Sequence, residues 1–161
     1  SSFEEFTKDF WEYEPVTDAW TRRADFGGEG LFHAAGFSIG NKGYIGTGAA
    51  NSPGYTKDFW EYEPIDTTPY QFIFNYETGA DLNTVVTSHS ITVWGINATS
   101  PISITGGTYS VNGGTYTNAS SQVNNADHVT VQVISSGDYL TTTEVTLTIG
   151  GVSDTFSVTT K

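Results

Sequence analysis
A chain of 161 residues can hold one ordinary domain or two small ones; this one sets 18 acidic against six basic residues, a net charge of −12, and has no cysteine or methionine. Such a balance argues against nucleic acid and anionic membrane surfaces, which need clustered Lys and Arg. Lack of cysteine removes disulfides, thiolate metal sites and a thiol nucleophile.

No apolar run approaches the roughly 18 residues of a membrane span. Stability therefore rests on apolar burial, for which four Trp, nine Tyr and ten Phe supply the material. The absence of methionine, at position 1 as elsewhere, reads as a processed chain or a fragment, with a removed signal peptide as the simplest cause.

In chain order, the first feature is "TKDFWEYEP" at residues 7–15, which returns letter for letter at residues 56–64, a period of 49 residues. That period is the size of one four-stranded propeller blade. Between the copies the sequence predicts a turn at "PVTD", a strand "AWTRRADF", a Gly-rich loop, and a hairpin "AAGFSIG-NK-GYIGTG". Composition shifts near "EPIDTTPY", where Pro64 and Pro69 bracket a polar turn that suits a linker. Residues 1–65 hold 11 of the 18 acids and five of the six basic residues; the only basic residue in 66–161 is Lys161.

Past that break the pattern is β throughout. "QFIFNY", "HSITVWG" and "PISITG" are candidate strands. "HVTVQVI" sets Val129, Val131 and Val133 on one face, and "TEVTLTI" does the same with Val145, Leu147 and Ile149. A strict period of two marks half-buried strands. "SVNGGTY" and "TIGGVS" supply tight turns, because Asn and Gly accept positive φ. About seven short strands at this rhythm suggest a two-sheet sandwich of the immunoglobulin type. The expected fold is all-β.

The stretch "GFSIGNKGYIGTG…TKDFWEYEPVTDAWTRRADF" resembles a blade of the kelch or galactose-oxidase type of propeller common in secreted bacterial proteins, with Gly43–Tyr44, Trp60–Tyr62–Pro64 and Trp20 in the matching places. Two departures stand out. The Gly-Gly doublet that closes the second strand in that family is "GTG" here (Gly46, Gly48), and a propeller needs about four to eight blades where this chain has little more than one. The stretches "INATSPISITGGTYSVNGGTYT" and "TTTEVTLTIGGVSDTFSVTT" resemble an immunoglobulin-like module of bacterial surface and secreted proteins. Together the resemblances imply a partial kelch-like blade over residues 1–65 and an immunoglobulin-like β-sandwich over 66–161, secreted or at the cell surface.

If one blade needs each of its four strands once, one copy of the doubled strand is surplus. An unpaired aromatic strand is a template for pairing with another chain. The expected partner is a further copy of this chain, joined head to tail into a ring or filament, with Phe10, Trp11, Tyr13, Phe59, Trp60 and Tyr62 as the assembly residues. A fragment of a longer propeller would carry the same duplication. A carbohydrate-binding adhesin is the other reading, with Trp20 and Trp94 as candidate stacking surfaces for a glycan.

Chemistry is sparse. His33, His89 and His128 lack ligand spacing, so no metal centre is expected. Glu12/Glu14 and Glu61/Glu63 lie on one strand face rather than converging across a cleft as glycosidase carboxylates do. "GTGAANSPG" and "DFGGEG" match no phosphate-binding fingerprint. Without cysteine the cross-linked tyrosine of galactose oxidase cannot form, and its activity is not implied. No cofactor is expected beyond the weak suggestion of calcium at loop oxygens of Asp25, Glu29, Asn124, Asn125 and Asp127. The sequence reads as a non-enzymatic structural protein.

Overall fold
Alternating apolar residues, tight turns and the absence of any helical period leave this chain little but strands to form. The computed structural model describes residues 5–51 and 54–161, and every regular element among them that forms a ladder is a β-strand. The chain divides into two compact units, Ser1–Pro64 and Ile65–Lys161.

In the first unit β1 (Trp11–Glu14) and β2 (Ala19–Arg22) form a two-stranded ribbon through the turn at residues 15–18. β3 (Leu31–Phe32) pairs with β6 (Ala49–Ala50). β4 (Ala35–Ile39), β5 (Lys42–Gly46) and β7 (Phe59–Tyr62) make an antiparallel sheet in the order β4-β5-β7. The β4–β5 turn is Gly40–Asn41 rather than Asn-Lys, because Ile39 pairs with Lys42. Gly40, with φ of 62°, supplies the positive φ that the first central position of a two-residue II′ turn requires. Among the described residues of this unit, Leu31 and Ala50 are the only buried apolar side chains. The Ser52–Pro53 part of "GTGAANSPG" lies outside the described residues.

Thr47 gives the departure from a Gly-Gly doublet a physical cost. It sits at φ of 57°, a left-handed conformation that crowds a β-branched side chain. Thr47→Gly should stabilise the first unit by about 0.5–1 kcal/mol, the relieved strain exceeding the added freedom of the unfolded chain. Denaturant titration followed through tryptophan fluorescence would measure it, and a loss of stability would contradict the strain.

The second unit is a sandwich of two sheets. One has the order β13-β11-β15-β16-β8: β13 (Ser121–Val123), β11 (Ser100–Thr105), β15 (Thr142–Ile149), β16 (Val152–Thr160) and β8 (Glu77–Ala80). The other is centred on β14 (His128–Ile134), with β12 (Thr108–Val111) on one side and β9 (Val85–Thr87) and β10 (Ile91–Thr92) on the other. All ladders are antiparallel except β8 with β16. Val129, Val131 and Val133 face Val145, Leu147, Ile149, Phe156 and Val158 in one core, all buried. At about 1.5–3 kcal/mol for each large side chain fully buried, this core dominates the unit's stability. The buried Tyr109 keeps its hydroxyl satisfied by donating to the Ala119 carbonyl at 2.7 Å. Gly150 and Gly151, at φ of 56° and 86°, close the β15–β16 hairpin in two residues. A Cβ on Gly150 would also collide with the Thr67 carbonyl oxygen.

Two expectations for the second unit need correction. "QFIFNY" makes no ladder: Phe72 and Phe74 are buried in the core, but the Phe74 amide donates to the Asp154 carboxylate at 2.5 Å instead of to a neighbouring strand. In "HSITVWG" only Ile91–Thr92 pairs as a strand.

Asp127 closes the turn before β14. Its carboxylate accepts from the Asn124 backbone amide at 2.7 Å and from Asn112 Nδ2 at 2.8 Å, and these donors, the amide first, hold its pKa below the ordinary aspartate range. A depressed folded pKa means stability fully present above the ordinary range and lost as pH falls through the folded value. Asp127→Asn should therefore flatten the acid limb of the thermal stability curve. Equal acid slopes for variant and parent would contradict this role.

Candidate functional site
The first unit gathers its aromatics without enclosing them. On the β4-β5-β7 sheet, registers Phe37↔Tyr44, Tyr44↔Glu61 and Gly46↔Phe59 define one face, and Gly43↔Tyr62 with Ile45↔Trp60 define the other. On the first face Phe37 stacks on Tyr44 at 5.2 Å and contacts Phe59 at 5.7 Å. Beside them Lys42 Nζ donates to Glu61 at 2.7 Å and approaches Glu63 at 3.3 Å, while the Tyr44 hydroxyl donates to Glu61 at 2.8 Å. The Lys42 ammonium holds Glu61 below the usual carboxylate range, and Glu61 in turn raises Lys42 and Tyr44. Glu61 and Glu63 are exposed and Lys42 and Tyr44 half-buried at the surface, so the cluster sets register more than stability.

The second face takes the segments that flank the ribbon. Phe10 lies over Gly43, where a Cβ would strike its ring, and tilts against Tyr62 at 5.3 Å. Trp60 lies against Gly27 and Gly28 and 6.4 Å from Phe26. Within the ribbon, Tyr13 packs on Trp20 at 5.0 Å, Trp11 Nε1 donates to Asp9 at 2.6 Å, and Arg23 Nε donates to Glu12 at 2.7 Å.

Between the ribbon and the β4–β5 hairpin lies a cleft of about 600 Å³, walled by Phe10, Trp11, Tyr13, Trp20, Tyr44 and Tyr62. Of the expected assembly residues, Phe10, Trp11, Tyr13 and Tyr62 thus meet at one cleft, whereas Phe59 is on the opposite sheet face and Trp60 on the Gly27–Gly28 loop. Of the expected stacking residues, Trp20 lines the cleft and Trp94 belongs to the second unit. Phe37 and Lys42 were not singled out by sequence, and Tyr44 entered only with Gly43 through the blade resemblance; the two-residue hairpin turn was the signal that would have set Phe37 opposite Tyr44. Exposure is high across this unit's large apolar side chains: Trp20 65%, Ile39 64%, Phe37 and Phe59 48%, Trp11 47%.

Most of the polar candidates have structural partners. His33 stacks on Phe32, His89 meets the edge of Phe74, and His128 Nδ1 lies 3.0 Å from Thr92 Oγ1. Asp25 pairs with Arg22, and Asn125 Oδ1 accepts from the Gly95 amide. Among the described residues no three His, Cys, Asp or Glu side chains are placed to hold a metal ion, and no helix is long and apolar enough to cross a membrane.

Neither the protein-family models nor the curated proteins yield a match to this chain.

Proposed function
We propose that the protein is a secreted or cell-surface structural module without enzymatic activity, whose first unit associates head to tail with further copies of the same chain. The observation that carries this reading is the contrast between the two units. The second encloses a complete core. The first leaves Trp11, Trp20, Phe37, Ile39 and Phe59 exposed on strands with open edges. Apolar surface of that kind, next to unpaired backbone groups, is what a partner strand covers. Light scattering and negative-stain microscopy across a wide concentration range should show rings or fibres growing with concentration. A monomer of 17.4 kDa at every concentration would overturn the reading.

A second reading has the cleft in its favour. Its volume falls in the range of small-ligand sites, and aromatic walls with Glu12, Asn41 and Lys42 at hand suit the faces and hydroxyls of a glycan. It predicts glycan binding by a monomer and quenching of tryptophan fluorescence that Trp20→Ala abolishes.

A further inference from the structure
The two copies of the repeated strand use opposite edges. In an antiparallel ladder, each residue points both backbone groups at one neighbour and the next residue points them at the other. The Phe10 carbonyl accepts from the Arg23 amide at 2.8 Å, so Phe10, Glu12 and Glu14 address β2 while Asp9, Trp11 and Tyr13 face the open edge. The Asp58 carbonyl accepts from the Thr47 amide at 2.9 Å, so Asp58, Trp60 and Tyr62 address β5 while Phe59 and Glu61 face outward. Asp58, Trp60 and Tyr62 are the counterparts of Asp9, Trp11 and Tyr13. Each copy leaves open the edge through which its twin is bound.

Building on the self-association reading, we propose that the β1–β2 ribbon of a second copy displaces β7 from β5, giving a four-stranded sheet of β4, β5 and the incoming β1 and β2. The incoming strand brings every side chain the seat uses. Trp11 replaces Trp60 over Gly27 and Gly28, Tyr13 replaces Tyr62, and Glu12 replaces Glu61 as acceptor for Lys42 and Tyr44. Ladder bonds lost by β7 are regained in kind. The gain is that a two-stranded ribbon, marginal by itself in water, becomes part of a larger sheet. Adding a neighbour's β2 to the outer edge of β7 would instead require that β2 to leave β1. Each copy has one ribbon to give and one seat to fill, so the exchange propagates.

The cysteine-free chain makes the test direct. Tyr44 and Glu61 form a pair of the closely spaced, non-hydrogen-bonded kind, about 4.5 Å between Cα atoms, within reach of a disulfide. In the full chain, Tyr44→Cys with Glu61→Cys, once oxidised, ties β7 into its seat and should abolish association, with reduction restoring it. Tyr44→Cys with Glu12→Cys, oxidised after assembly, should give a ladder of covalent multimers on a non-reducing gel. If the tied form associates as readily as the parent, or the Glu12 pair yields only monomers, the exchange is overturned while self-association stands. A parent chain that never associates overturns both.

Discussion

Trp11→Glu should suppress association while leaving the melting of the second unit unchanged. Trp11 occupies, in the first copy, the place Trp60 holds in the second, where the indole covers Gly27 and Gly28. Losing an indole packed on one face, as Trp60 is at 36% exposure, costs about 1.5–3 kcal/mol, roughly one to two powers of ten in an association constant. A carboxylate in its place adds a desolvation penalty against that glycine loop. In the free chain Trp11 is half exposed and its indole only caps Asp9, so the monomer loses little. Light scattering reads association and circular dichroism at the second unit's transition reads folding. Polymers that persist in the variant would show that the first copy is not the donor.

Leu147→Ala should be the converse, silent on association and severe for stability. Leu147 is fully buried in β15, between Ile104 on one neighbouring strand and Asp154 on the other. Leucine-to-alanine changes at such sites cost about 2–5 kcal/mol, because the cavity closes only in part. The second unit's unfolding midpoint should fall accordingly, with the fluorescence of Trp11, Trp20 and Trp60 in the first unit unaltered at temperatures below it. A change smaller than about 1 kcal/mol would mean that the core collapses onto the gap.

The all-β class and the principal strands of the second unit were legible because one face is buried and the other wet. In β14 and β15 the alternation of Val, Ile and Leu with Thr and Gln is that difference written into the chain. "QFIFNY" shows the limit of the same rule. Its alternation is real, since Phe72 and Phe74 are buried while Gln71 and Ile73 are exposed, but a side chain's direction does not say whether the backbone has a strand beside it. There the partner is a single carboxylate, Asp154, 80 residues away. The site was less legible still. Nine identical residues take two different seats, and the strand spans Trp11–Glu14 in one copy but Phe59–Tyr62 in the other. No local signal can distinguish identical segments. Only long-range partners, β2 for one and β5 for the other, assign the edges.

The lone parallel ladder of the second unit has a mechanical meaning. β8, which follows the core residues Phe72 and Phe74, and β16, the last strand, run side by side and in the same direction, with Val158 opposite Glu77 and Thr159 opposite Thr78. Tension applied at the start of β8 and the end of β16 drags the two strands past each other lengthwise. Their hydrogen bonds then resist together instead of opening one after another like a zip. A module so wired resists extension along that axis and yields abruptly, once, at the top of its range.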